Sequence, residues 1–240
     1  MSFFYSERDY GMAFADLRRN IDIVKERIDN ACSRVGRKPL DVKLVAVTKT
    51  HPVEIVQAVI DLGIRDIGEN RVQEIEKKAP LLKGDFTMHM IGHLQTNKVV
   101  KALDFSQWVQ SIDSIRLAEK IDSAQRQKAA SGTVKALVEV NTSGEASKSG
   151  CLPEDCLAIC EKIASFSAIK LHGLMTIGPL GGNEKSIRTA FEKLRNLGDK
   201  CRHYTLSGEL SMGMSADFEW AIEEGSTIVR IGSLFFGSRP

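Results

Sequence analysis

Apolar residues recur three or four apart at Phe14, Leu17, Ile21, Val24, Ile28, Ala31 and Val35. That period sets them along one face of a helix, which Gly36 and then Pro39 bring to an end. The pattern then changes. Residues 42–48, Val-Lys-Leu-Val-Ala-Val-Thr, are apolar on both parities and rich in β-branched side chains. This predicts a strand buried on both faces. Thr50, His51 and Pro52 break it, since proline disfavours a helical residue before it and cannot donate to a ladder. Lys49 is left at the carboxyl end of that strand.

From there strand and helix alternate. Helical spacing covers 53–62, 72–82, a segment capped by Thr96 or Asn97 and running to about 103, 114–130, 153–165, 184–200 and 216–224. Further strands are predicted at 64–68, 87–91, 108–112, 134–140, 169–177, 209–211 and 227–231. Eight strands interleaved with helices, without a linker or low-complexity break, predict an α/β fold of one kind. It is a single (β/α)8 TIM barrel with an extra N-terminal helix. The helix takes about 12–35, the barrel about 40–238, and one domain spans 1–240.

Composition narrows the function. Of 240 residues, 42% are apolar and 27% charged, enough for a large buried core. The net charge of +2 argues against a nucleic-acid or anionic-membrane surface. No apolar run approaches the roughly 18 residues of a membrane span. Residues 1–10 carry Glu7, Arg8 and Asp9 and lack the apolar core of a signal peptide, so a cytoplasmic location is expected. The five cysteines fit that compartment as reduced, mostly buried thiols. Cys151, Cys156 and Cys160 cluster at spacings that match no zinc signature, while Cys32 and Cys201 stand alone. His89 and His93 flank a strand rather than sharing a helix face, so no metal site is expected.

Candidate chemistry collects at the strands' carboxyl ends, where barrels of this kind carry their sites. A lysine desolvated at such an end becomes a nucleophile or Schiff-base former; the plainer alternative is a lysine that snorkels to solvent. Ser211-Met212-Gly213-Met214-Ser215 closes the seventh strand, and Arg230-Ile231-Gly232-Ser233 the eighth. Two small-residue turns side by side after these strands suggest a phosphate cup. By two-residue parity Val45, Val47 and Lys49 share a face, as do Ile228, Arg230 and Gly232. If those faces point inward, Lys49 and Arg230 meet at the mouth and call for an anionic ligand. A phosphate-bearing aldehyde, pyridoxal 5′-phosphate (PLP), meets these requirements. A salt bridge to a neighbouring carboxylate is the plain alternative for Arg230.

Several blocks then carry a resemblance. They are 44–50 (LVAVTKT), 67–74 (IGENRVQE), 89–98 (HMIGHLQTNK), 147–150 (SKSG), 172–175 (HGLM), 210–215 (LSMGMS) and 225–232 (GSTIVRIG). In order and as a set, these resemble the pyridoxal phosphate homeostasis proteins, relatives of the N-terminal barrel of alanine racemase. The resemblance implies Lys49 as the Schiff-base lysine and Ser211, Gly213, Gly232 and Ser233 around the phosphate. It also implies Arg230 near the pyridine nitrogen and Asn70 close to the cofactor. Ser233 departs from the threonine common in the family, and the stretch before the seventh strand looks irregular.

What that resemblance implies is a carrier and buffer of PLP with little or no turnover, serving PLP-dependent apoenzymes transiently, as a monomer or weak homodimer. The first alternative is a single-domain amino-acid racemase with His93 or Tyr204 as acid–base. Tyr5 and Tyr10 precede the barrel. The second is a Schiff-base aldolase for a sugar phosphate, keeping Lys49 and the cup.

Overall fold

Eight parallel strands close on themselves in chain order, β1 pairing with β2 and so on round to β8 against β1. The structure, a computed structural model, describes residues 7–128 and 132–237. The strands are β1 (Lys43–Val47), β2 (Asp66–Glu69), β3 (Thr87–Met90), β4 (Trp108–Ile112), β5 (Val134–Glu139), β6 (Ile169–Met175), β7 (Glu209–Ser211) and β8 (Ile228–Ile231). The helices are α1 (Glu7–Arg34), α2 (Val53–Asp61), α3 (Val72–Lys78), α4 (Val99–Phe105), α5 (Ile115–Arg126), α6 (Cys156–Ala164), α7 (Glu184–Lys200), α8 (Phe218–Glu223) and α9 (Ser233–Phe236). The TIM barrel with an added leading helix is therefore the fold.

Parity assigns the faces as expected. Val45, Trp108, Leu137, Met175 and Ile228 form a small cluster inside the barrel. Val42, Ala46, Ile67, Val229 and Ile231 join the larger layer between strands and helices. Register pairs Val45 with Arg230, which puts that arginine on the inner face beside the closing seam. Burial of the two layers supplies the main driving force, at about 25 cal/mol per Å² of apolar surface.

Boundaries shift where local chemistry intervenes. The third helix stops at Lys78 and continues as a 3-10 turn, Ala79–Leu81, because Pro80 cannot keep the α-helical ladder. Thr96 and Asn97 lie in a 3-10 turn ahead of α4 and cap nothing. Helix α8 begins at Phe218 rather than 216, since Asp217 accepts the Met214 amide at 2.6 Å. The four-residue α9 was not expected from the pattern at all. Residue 130, the expected end of α5, residue 238 and Tyr5 lie outside the described residues. Helix α1 latches the seam: Arg27 pairs with Glu219 and Arg34 with Glu223, and Asn20 donates to the Phe235 carbonyl. Among the described residues no helix is long and apolar enough to cross a membrane.

Candidate functional site

The first strand leaves its ladder through Thr48, whose amide still donates to Gly68 at 3.0 Å. Thr48 turns outward and is fully buried; its hydroxyl donates to Glu69 Oε1 at 2.7 Å. The Thr48 carbonyl accepts from Lys78 Nζ at 2.9 Å, and Lys78 also reaches Glu69 at 2.7 Å and Glu74 at 2.8 Å. On the other side the Thr50 amide donates to Glu74 Oε2 at 2.6 Å, with Thr50 held at φ +70°. Half-buried Lys49 thus sits between two pinned residues. Its backbone position is set by a lysine and two glutamates that lie behind it. Burial pushes the Glu69 carboxyl above its ordinary range despite Lys78 and Thr48, and its Oε2 finds no partner among the described residues. Burial acts the same way on Glu74, but Lys78 and the Thr50 amide outweigh it and hold that carboxyl low.

The seventh and eighth strands end in a backbone cup. Gly213 adopts φ +94°, and a Cβ there would stand 2.5 Å from Ala221 Cβ and 2.9 Å from Phe218 Cα. Only glycine lets this turn lie so close to α8. Its carbonyl accepts the Arg230 amide at 3.0 Å, tying the two turns together. Opposite, the amides of Gly232 and Leu234 converge on the Ser215 hydroxyl at 3.2 and 3.4 Å, with Ser233 between them. Two amides aimed at one oxygen are the arrangement a phosphate oxygen would take.

Below the cup a one-way chain of hydrogen bonds crosses the barrel interior. Arg230 Nη1 donates to Ser211 Oγ at 2.6 Å, and Ser211 donates to Gln110 Oε1 at 2.7 Å. Gln110 Nε2 then meets His89 Nδ1 at 2.9 Å, and His89 Nε2 meets Asp66 Oδ1 at 2.8 Å. The Asp66 carboxylate can only accept, so His89 donates from Nε2 and accepts at Nδ1. Every link therefore points from the guanidinium to the carboxylate. Burial holds His89 below its ordinary pKa, and Asp66 only partly offsets this, so the ring stays neutral. At the far end Lys43 lies 3.7 Å from Asp66. The other Arg230 nitrogen donates to the Thr176 carbonyl at 2.9 Å. Complete burial pulls the guanidinium down to about 10, with Glu139 and Asp217 opposing.

Over the mouth lies a cavity of about 240 Å³ lined by Asn70, Gly92, His93, Glu139, Asn141 and Lys148. Glu139, 3% exposed, has its carboxyl pushed up to about 7 by burial, against the pull of Arg230. It is a group able to hold or release a proton near neutral pH. Lys148 crosses from one loop to the next, donating to the Gly178 carbonyl at 2.5 Å and pairing with Glu145 at 2.8 Å.

Known proteins share this arrangement of chain. The family profile described as "Alanine racemase, N-terminal domain" matches residues 16–240. A pyridoxal phosphate homeostasis protein of Aquifex aeolicus is 44% identical over 220 residues, 90% of this chain and 95% of that one. The chain belongs to the pyridoxal phosphate homeostasis protein family. A protein from Bifidobacterium adolescentis, described as an unknown protein, superposes with a TM-score of 0.89 at 39% identity, covering 98% of each chain. PipY of Synechococcus elongatus, solved with PLP bound, superposes at 0.78 with 32% identity, covering 89% of this chain and 100% of that one.

In this family member the residues singled out from the sequence do not all share one place. Lys49, Asn70, Gly213, Gly232 and Ser233 follow the carboxyl ends of their strands, and Arg230 lies just inside. Ser211 does not belong to the cup. Its side chain is fully buried, accepts from Arg230 and donates to Gln110, so the hydroxyl facing the cup amides is that of Ser215. Tyr204 precedes β7 and stands at the opposite end of the barrel from the mouth, its ring tilted against that of His203. His93 lines the cavity and faces Asp113 at 3.3 Å, while His89 is buried within the barrel, so the two histidines do not form a pair. Gln110 and Glu139 were missed. Each is a polar residue in an otherwise buried strand, two positions on from an inward apolar residue (Trp108, Leu137), and that parity was the available signal.

Proposed function

We propose that this protein binds PLP reversibly as a Schiff base on Lys49 and acts as an intracellular carrier and buffer of the cofactor. One observation carries the reading: a lysine held in a pinned turn, a two-amide cup and a buried guanidinium converge on one barrel mouth. The residues fit the group. Gly213, Ser215, Gly232 and Ser233 would hold its phosphate, Arg230 would face the pyridine nitrogen and Asn70 would flank the ring. The PLP-bound relative, matched over its full length, supports PLP as the ligand. When bound, PLP supplies an aldehyde for Schiff-base formation and a ring that withdraws electrons.

The chain's own residues favour holding over turnover. An arginine facing the pyridine nitrogen disfavours its protonation and so weakens the ring as an electron sink. Racemisation needs an acid–base group on each face of the cofactor. Tyr204 is at the wrong end for that, and Glu139 is the residue best placed to move a proton in residual turnover. Release to apoenzymes in the cytoplasm, through transient contact, completes the proposal.

The test is the visible absorption spectrum of the purified protein after incubation with PLP. A Schiff-base band that borohydride bleaches, and that Lys49→Ala lacks while staying folded, is expected. Steady turnover of amino acids at about 1 per second or faster, an ordinary enzyme rate, would overturn the carrier reading. A protein that takes up no PLP would overturn the cofactor assignment as well.

A further inference from the structure

Away from the mouth, three thiols converge. Cys156 and Cys160 lie one turn apart on α6, and Cys201 closes α7 from 45 positions further along the chain than Cys156. All three are free and fully buried. The sulfurs of Cys156 and Cys201 are 4.0 Å apart, and all three lie within 4.8 Å of one another. The sequence pattern grouped Cys151 with Cys156 and Cys160 and set Cys201 apart; the fold replaces Cys151 with Cys201. Cys151 instead bonds back to β5, its amide donating to Glu139 at 2.9 Å.

One buried cysteine needs no explanation beyond packing, where it serves as a small apolar side chain. Three sulfurs facing one another are different. Metal–sulfur bonds of about 2.3 Å would set three trigonal sulfurs about 4 Å apart, which is the spacing of Cys156 and Cys201. Zinc in a structural site takes four ligands, and among the described residues no nitrogen or oxygen ligand joins this group. An all-sulfur, three-ligand set suits a softer ion. Cys156 is also the first residue of the nine-residue α6, whose opening amides offset part of the negative charge that thiolates bring.

We propose that Cys156, Cys160 and Cys201 form a trigonal site for one soft, thiolate-seeking ion of the copper(I) type. The ion bonds to the three sulfurs, each thiol that becomes a thiolate gives its proton to solvent, and no electron is transferred. Hydrogen bonding among the three thiols, with burial, raises Cys160 and Cys201, the latter to about 11. Occupancy would brace α6 against the end of α7, and because the three sulfurs meet only in the folded chain, the ion would bind it more tightly than the unfolded chain and raise thermal stability. The site is remote from Lys49 and independent of what the mouth binds.

The experiment is an anaerobic titration of the full-length, reduced protein with copper(I) against the chromophoric chelator bicinchoninate. One equivalent of copper should transfer to the protein. X-ray absorption of that unmodified complex should report three sulfurs at about 2.3 Å. Cys156→Ala, Cys160→Ala and Cys201→Ala, each checked for fold by circular dichroism, should each weaken binding by about tenfold or more, whereas Cys32→Ala and Cys151→Ala should leave it unchanged. Copper left with the chelator, an X-ray spectrum dominated by nitrogen or oxygen, or binding that survives removal of any of the three sulfurs would each overturn the proposal. The X-ray measurement decides the matter even where an alanine variant fails to fold.

Discussion

Arg230 donates to Ser211 across 2.6 Å, and that bond commits the serine's own proton to Gln110. A buried guanidinium is tolerated here because its acceptors are built into neighbouring strands. Hydrogen bonds to charged groups contribute about 1.5–3 kcal/mol, so Ser211→Ala should destabilise the protein by that amount in urea unfolding. Gln110→Leu should cost about 1–3 kcal/mol, because it strands the Ser211 hydroxyl and the His89 ring inside the barrel. The double variant should lose less than the two costs added together, with a coupling of about 0.5–3 kcal/mol. Strict additivity would mean that the chain does not act as a unit.

Lys78 is the buried cation behind the Lys49 turn. Lys78→Met removes the partner of two carboxylates and the donor to the Thr48 carbonyl. Breaking such a pair costs about 3–5 kcal/mol, since the remaining charge is left uncompensated. Urea unfolding should show this loss, and PLP loading should weaken as the turn loosens. Adding Glu69→Gln to Lys78→Met should restore part of the stability. If it restores none, the charge left on Glu69 is not what the single variant suffers from.

The Glu139 carboxyl ionises near 7 in the folded chain against an ordinary value of 4.5. Below 4.5 both folded and unfolded chains carry its proton; above that the unfolded chain loses it first. The contribution is therefore present at low pH and lost as pH rises through about 4.5 to 7. Over that window it amounts to roughly 3 kcal/mol. Glu139→Gln should remove this part of the pH dependence, so the stability difference between variant and parent should shift toward the variant between pH 5 and pH 8. Parallel profiles across that range would exclude the assignment.

Gly213 and Gly36 both hold positive φ, yet they differ in surroundings. A Cβ at Gly213 would press on Ala221 and Phe218, whereas at Gly36 (φ +68°) it would meet nothing within 4 Å. Gly36→Ala should cost only the left-handed strain of about 1–2 kcal/mol. Gly213→Ala should exceed that and also weaken binding of inorganic phosphate, because α8 must move off the cup. Equal costs for the two, read from urea unfolding, would show that crowding at Gly213 is relieved cheaply.

The barrel was legible because short apolar, β-branched runs alternate with segments of helical spacing along the whole chain. Parity put Val45 with Lys49 and Arg230 with Ile228 on common faces, and the closed barrel, with Val45 in register with Arg230, turns both inward. Contacts made between distant elements were illegible. Nothing in the seventh-strand motif tells the Ser211 side chain, spent within the barrel, from that of Ser215, which meets the cup amides. Lys78 meets Glu69 and the Thr48 carbonyl only once α3 packs beside β2, a partnership that no local spacing announces. Cys201 joins Cys156 only through the packing of α7 on α6. Local pattern carries the architecture; side-chain partnership needs the closed barrel.

The file of donors from Arg230 to Asp66 has one polarity along its length, and its first member is a cation that keeps its proton. It cannot work as a wire that hands protons from floor to mouth, because reversing any link would leave two donors or two acceptors face to face. It behaves instead as a stack of aligned dipoles. A negative ligand arriving at the mouth would be felt at the floor as polarisation, while the traffic of protons stayed confined to the open end.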